Sequence, residues 1–295
     1  MYACSEGVRD YGKTDTVGFD VELSDDGEYK SSAKTKSGRA IVTDIEPLKE
    51  GFSIWGGYGN ELVFDGKNVH WSQSVNGNAS GWIYNGLVMW TENTYNFCGL
   101  FPSTITTSYE SGILTVGDYI VDQNEDLLFA SVPEHKYPDD GGVVKFNFKH
   151  ALSAVSFSLV FDNSNGQIYN NTYKIVEATI NNLYTGGTIT LNNNSGQIQS
   201  SPSNNGSISV SAISLLNPTS TPMLLVMPQT NNVDLYIKLD VSGTIIEINK
   251  ANTAINWEPG THYIYNIVID KNQNISLEVQ TTQWEVLDIE DIIIS

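Results

Sequence analysis

Cysteine is nearly missing: the chain has two in 295 residues. That excludes a disulfide scaffold, and a structural zinc site would need help from the four scattered histidines. Cys4 lies at the very start and Cys98 within an aromatic segment, so no pairing between them is expected. Basic residues are also scarce, with 15 Lys and Arg against 34 Asp and Glu and a formal net charge of −19. A nucleic-acid partner needs clustered Lys and Arg, and so does docking on an anionic membrane; neither fits. No apolar run approaches the roughly 18 residues of a membrane-spanning helix. No stretch has a sustained helical period. Catalytic signatures are missing too: there is no GxSxG elbow, no P-loop and no GxGxxG opening a helix. His70, His135, His150 and His262 stand far apart, in no metal-binding spacing, and read as strand or turn residues.

What the chain has is alternation of period two. Val144, Phe146 and Phe148 alternate with Lys145, Asn147 and Lys149; Val155, Phe157 and Leu159 alternate with Ser156 and Ser158. Leu235, Ile237, Leu239 and Val241 repeat the pattern, as do Tyr263, Tyr265, Ile267 and Ile269, and then Ile275, Leu277 and Val279. Near the start, Val17, Phe19, Val21 and Leu23 alternate with Gly18, Asp20 and Glu22. Each set offers one apolar and one polar face, the pattern of antiparallel sheets. Pairs such as Asp65-Gly66, Asn85-Gly86 and Asn205-Gly206 tolerate positive φ and predict turns between strands. Asn, Ser, Thr and Gly are abundant, which suits an extracellular β-protein.

A length of 295 residues corresponds to about two domains of roughly 150 residues each. The best boundary is Tyr137-Pro138-Asp139-Asp140-Gly141-Gly142, an exposed connector in composition. Residues 192–211, rich in Asn, Ser and Gly, read as a long surface loop with room for one edge strand. Asp122-Gln123-Asn124-Glu125-Asp126 lacks the Gly-centred spacing of a calcium loop and reads as a solvated turn. Aromatics concentrate in the first half, including Trp55, Trp82 and Trp90. They either build its core or, if exposed, stack on sugars as a surface glycan-binding module. Abundant carboxylates alone do not single out a glycosidase pair.

The chain opens Met1-Tyr2-Ala3-Cys4-Ser5-Glu6, without the basic and apolar regions of a signal peptide. A small residue before Cys4 and a polar stretch after it is the pattern left when a lipoprotein signal is trimmed. An ordinary exposed cysteine fits equally well.

Several segments together then point to a family. Gly51-Phe52-Ser53-Ile54-Trp55-Gly56-Gly57-Tyr58 follows Arg39-Ala40 after a short spacer. Tyr95-Asn96-Phe97-Cys98-Gly99-Leu100-Phe101-Pro102 and Asp126-Leu127-Leu128-Phe129-Ala130 come next. The second half carries Phe146-Asn147-Phe148-Lys149-His150-Ala151-Leu152-Ser153, Met227-Pro228-Gln229 and Trp257-Glu258-Pro259-Gly260-Thr261-His262-Tyr263. In order and spacing this set resembles the fimbrillin-like lipoproteins that build type V pili, over nearly the whole chain. The resemblance implies an all-β fold of two tandem transthyretin-like antiparallel β-sandwich domains. It implies a non-enzymatic pilus subunit without cofactor or metal, exported to the cell surface and held on the outer membrane by a lipid on Cys4 until maturation. It implies cleavage between Arg39 and Ala40 by an Arg-specific protease, then β-strand exchange with other pilus subunits and a role in adhesion to a surface receptor or glycan. Met1 stands where Leu is usual, and Lys34 and Lys36 lie near Arg39, so the scissile bond stays open.

The residues divide accordingly. Residues 1–39 read as a tether and a removable strand, with Val17, Phe19, Val21 and Leu23 as its inward face. Residues 40–142 and 143–295 read as the two sandwiches. The hydrophilic stretch 24–39 is open to a protease. Four buried side chains correspond to about 6–12 kcal/mol of burial that a replacement strand would restore. The tail after Trp284 offers Leu287, Ile289 and Ile293 on one face as a donor strand; the same residues also fit the last strand of the second domain.

Overall fold

The structure, a computed structural model, describes residues 17–23, 42, 45–73, 81–137, 142–161, 173–211, 220–270 and 272–283. Among these the protein is all-β, with seventeen strands, one 3-10 turn at Pro47–Glu50 and no α-helix. The first nine strands are β1 (Gly18–Leu23), β2 (Phe52–Tyr58), β3 (Glu61–Ser72), β4 (Gly81–Tyr84), β5 (Thr94–Phe101), β6 (Ser108–Glu110), β7 (Ile113–Ile120), β8 (Leu128–Lys136) and β9 (Val143–His150). The last eight are β10 (Ser153–Phe161), β11 (Tyr173–Asn192), β12 (Gln197–Ser211), β13 (Leu224–Val226), β14 (Gln229–Val241), β15 (Thr244–Trp257), β16 (Thr261–Ile269) and β17 (Ile275–Gln283).

Alternation decides which side of each strand is buried. On β9, Val144, Phe146 and Phe148 are buried while Lys145, Asn147 and Lys149 are exposed. On β14, Leu235, Ile237 and Leu239 are buried between half-buried Tyr236, Lys238 and Asp240. Val279 on β17 departs from its expected place and is 52% exposed. Among the described residues β17 is the outer strand of its sheet and pairs with β16 alone, so its far end has less to pack against.

The strands form three sheets. The first runs β1-β9-β8-β5-β2-β3-β4, and only β1 lies parallel to its neighbour. A four-stranded sheet runs β13-β10-β16-β17. The third runs β15-β14-β11-β7-β6, with β12 on the other side of β11. The third sheet packs on the four-stranded one across a core that includes Phe157, Ile180, Ile237, Trp257 and Tyr265.

The first sheet is buried on both faces. One face gathers Phe52, Ile54, Phe64, Phe97, Phe146 and Phe148. The other face presents Trp55, Cys98, Leu100 and Phe129 to Leu114 and Val116 of β7 and to Ile189 and Leu191 of β11. β11 therefore serves both halves: residues 173–181 pair with β14, and residues 186–192 pair with β7. The second of these segments opens on Gly186 and Gly187, with β12 along the other edge of β11. A Cβ on Gly186 would fall 2.2 Å from the Tyr119 carbonyl oxygen, and one on Gly187, at φ +149°, 2.3 Å from that of Ser201. β9, which follows the expected boundary at residue 142, lies between β1 and β8 of the first sheet.

Two local expectations are corrected. Within residues 192–211, expected as a loop with room for one edge strand, residues 197–211 are that strand, β12, paired with β11 nearly end to end, and it runs through Asn205-Gly206, which is no turn between strands. Its Ser, Asn and Gln residues have low strand preference, and the ladder along β11 overrides it. Asp65-Gly66 is not a hairpin turn. β3 runs straight through it, and the positive φ of Gly66 (+61°) sits where the register with β2 shifts, a bulge and not a reversal.

Candidate functional site

β1 closes the first sheet on itself. Along one side it pairs in parallel with β9, from Gly18 against Val143 to Leu23 against Phe148. On the other side the Val17 N–H donates to the Val88 carbonyl at 3.0 Å, and the Tyr84 hydroxyl donates to the Val17 carbonyl at 3.1 Å. Tyr84 ends β4, the far strand of the same sheet, so β1 bridges the sheet's two ends. Alternation turns Val17, Phe19 and Val21 into the core and leaves Asp20 exposed. Phe19, 6% exposed, meets four aromatic rings: Phe64 at 5.5 Å, Tyr84 at 5.4 Å and Phe97 at 6.4 Å edge-on, and Phe146 stacked at 5.8 Å. Burying these three side chains corresponds to about 5–9 kcal/mol. Of Leu23 the structure gives the backbone pairing, and its side chain lies outside the described residues.

Beside this strand the chain is pinned again at Val42. The Val42 N–H donates to Asp126 Oδ2 at 3.0 Å, and its side chain joins the same core as Phe19. Asp126 is fully buried. Its Oδ2 also lies 2.8 Å from His150 Nδ1, and its Oδ1 accepts the Leu127 N–H at 2.8 Å. A buried carboxylate is tolerated when hydrogen-bond donors surround it, as they do here. Asp122 and Asn124 do form an exposed Asx turn, with the Asn124 N–H on Asp122 Oδ1 at 2.8 Å. The solvated turn ends before Asp126, which faces inward.

The other sequence candidates fall as follows. Cys4, Arg39, Ala40, Leu287, Ile289 and Ile293 lie outside the described residues. Trp55 and Trp90 are buried, which decides for the core between the two readings of these aromatics, core and sugar platform. Trp90 donates from Nε1 to the Gly142 carbonyl at 3.1 Å and packs edge-on to Tyr95. Trp82 is half-buried, edge-on to Phe52 and Trp71. Aromatic rings offset edge-to-face are core packing, not a flat stacking surface. Cys98 is fully buried, and burial pushes its thiol pKa up, so it stays a protonated, inert packing group. His262 pairs with Ser156 Oγ at 2.8 Å in the interior. Among the described residues no group of three or more His, Cys, Asp and Glu side chains is placed to hold a metal ion.

The pairing of Asp126 with His150 and Val42 was missed in the sequence. Half of its signal was there, since the phase of Val144, Phe146 and Phe148 turns His150 inward. Nothing local links it to a carboxylate 24 residues earlier or to an amide 84 residues before that carboxylate.

Comparison with known proteins agrees with this architecture. A fimbrial protein of Bacteroides vulgatus superposes with a TM-score of 0.58 at 15% identity, over 91% of this chain and 99% of its own. A candidate cell-adhesion protein of Bacteroides ovatus gives 0.54 at 13% identity over 92% and 98%, and one of Bacteroides uniformis 0.52 at 15% over 80% and 92%. At these identities the likeness is one of fold. Comparison with curated proteins finds no sequence match. The family model described as "Fimbrillin-like" matches residues 39–284, most of the chain, and β1 precedes the matched segment. With an all-β architecture and a family match of that extent, this protein belongs to the fimbrillin-like family.

Proposed function

We propose that this chain is a cell-surface pilus subunit, of the stalk or the tip, kept unassembled by its own strand β1 and joined to a neighbour when another strand takes that place. The observation that carries the reading is the position of β1. It lies at the end of a sheet, in parallel pairing, with Val17, Phe19 and Val21 filling an aromatic slot. Family membership supports the same reading. β1 is joined to Val42 by residues 24–41, a hydrophilic stretch containing Lys34, Lys36 and Arg39. While that link is intact, the strand is held at high effective concentration and outcompetes a donor. Once it is cut, the strand is a separate ligand. Its loss uncovers an apolar slot and the unpaired edge of β9, and a strand added from another chain satisfies both. The tail carrying Leu287, Ile289 and Ile293 is the donor in this scheme, and a tandem pair of transthyretin-like sandwiches is its scaffold. A lipid on Cys4 would hold the precursor at the outer membrane until an Arg-specific protease cuts between Arg39 and Ala40. Adhesion through the assembled fibre completes the proposal.

The test is digestion of the folded protein with an Arg-specific protease, mass spectrometry of the new terminus, and an unboiled gel. A terminus at Ala40 with a ladder of oligomers is expected. A folded chain that resists cutting between residues 24 and 41 overturns the processing step.

A further inference from the structure

The slot and the proposed start of the mature chain share one wall. β9 pairs with β1 through residues 143–148 and ends at His150. There His150 Nδ1 meets Asp126 Oδ2 at 2.8 Å, and the Ala151 N–H donates to the Leu127 carbonyl at 2.8 Å. The Asp126 side chain is wholly shielded from solvent and the His150 ring almost wholly. The same Asp126 oxygen accepts the Val42 N–H. A charge buried this deeply is held where its donors are, and each donor lost leaves a costly unsatisfied group. Val42 is thus bound to the body of the fold, three residues beyond Arg39, and its side chain sits in the core that β1 helps to fill.

Cutting after Arg39 raises a physical problem. The mature chain then starts two residues before Val42, and departure of β1 removes part of the packing around the Val42 side chain. An unfixed terminus would fray, and fraying would widen the slot and expose more of the aromatic core. We infer that the buried carboxylate of Asp126, positioned by His150, is the retention site for the mature chain's first residues: it grips the Val42 amide so that β1 leaves and residue 42 stays. The inference rests on the processing reading above. It makes Asp126 and His150 positioning residues that set where strand release stops.

The experiment is hydrogen exchange at the Val42 amide, read residue by residue, in the full chain before and after the Arg-specific cut. In the wild-type protein Val42 is expected to remain protected after the cut, within about tenfold of the uncut chain. In Asp126→Ala its exchange is expected to rise on the order of 10- to 100-fold, the equivalent of one hydrogen bond to a charged group, while β5 amides change far less. Val42 exchanging in the cut wild-type protein at the rate of a free terminus overturns the inference, and so does an unchanged rate in Asp126→Ala. If the protease does not cut, the processing reading fails, and the two uncut chains still decide whether Asp126 holds Val42. If Asp126→Ala does not fold, the wild-type comparison of cut with uncut protein decides.

Discussion

Replacing Phe19 by alanine is expected to lower the stability of the uncut chain by about 3–5 kcal/mol, the range for deleting a buried phenyl ring. The ring is central to its surroundings. It touches Tyr84 at one end of the curled sheet and Phe146 on β9 beside the other, with Phe64 and Phe97 between. Its loss leaves a void between strands that cannot approach without breaking the β1–β9 pairing. Urea denaturation at neutral pH measures the change. The exposed Val279→Ala serves as a control, with an expected effect within about 0.5 kcal/mol. The same substitution carries a second expectation. In a chain whose slot holds a neighbour's strand, Phe19 is no longer part of the structure, so Phe19→Ala should leave assembled subunits as stable as wild type. A loss below about 1 kcal/mol in the uncut chain would mean that β1 is not a structural strand.

The second large effect is a pH dependence from His262. Burial depresses its pKa from 6.5 to about 4, because the charged imidazolium is poorly solvated there. The unfolded chain therefore binds a proton between pH 6.5 and 4 that the native chain refuses. Stability from this group is complete above pH 6.5 and is lost as pH falls toward 4. Lowering the pH from 7.5 to 5 is expected to remove about 2 kcal/mol through His262 alone. His262→Gln should lack that component. Urea titrations of both proteins at the two pH values give the difference directly, and equal losses would show that His262 is not the group responsible. The lower pH lies above the sequence pI of about 4.3, where net charge still opposes aggregation.

Alternation along the chain reveals which residues face inward and says nothing of which strand lies alongside. That limit separates what could be read from what could not. Val17, Phe19 and Val21 were legible as one face of a strand because their spacing requires it, and that face is buried. The parallel pairing of β1 with β9, across 125 residues between Gly18 and Val143, left no mark on either segment. Trp55 stayed open between core and platform because an aromatic residue has the same spacing whether its strand is covered on one face or on both. The first sheet is covered on both, by β7 and β11 on the far side. The length of β12 was missed for the opposite reason: its side chains suit solvent, so the stretch showed room for an edge strand and no more, and the ladder with β11 makes all fifteen residues a strand. Asp126 belongs to an acidic run that favours water, yet a distant imidazole and a distant amide turn it inward. Contacts of that separation depend on topology, which no local pattern encodes.

The central claim is that β1 is a separable strand whose slot takes a replacement. Native mass spectrometry of strand exchange tests it most directly. The folded protein, cut by an Arg-specific protease and left uncut in parallel, is mixed with an excess of labelled synthetic peptide carrying residues 12–28. The account expects the cut protein to take up the peptide and release its own strand, the uncut protein to take up none, and a Phe19→Ala peptide to fail in both. No uptake by the cut protein, or equal uptake of the two peptides, would contradict it.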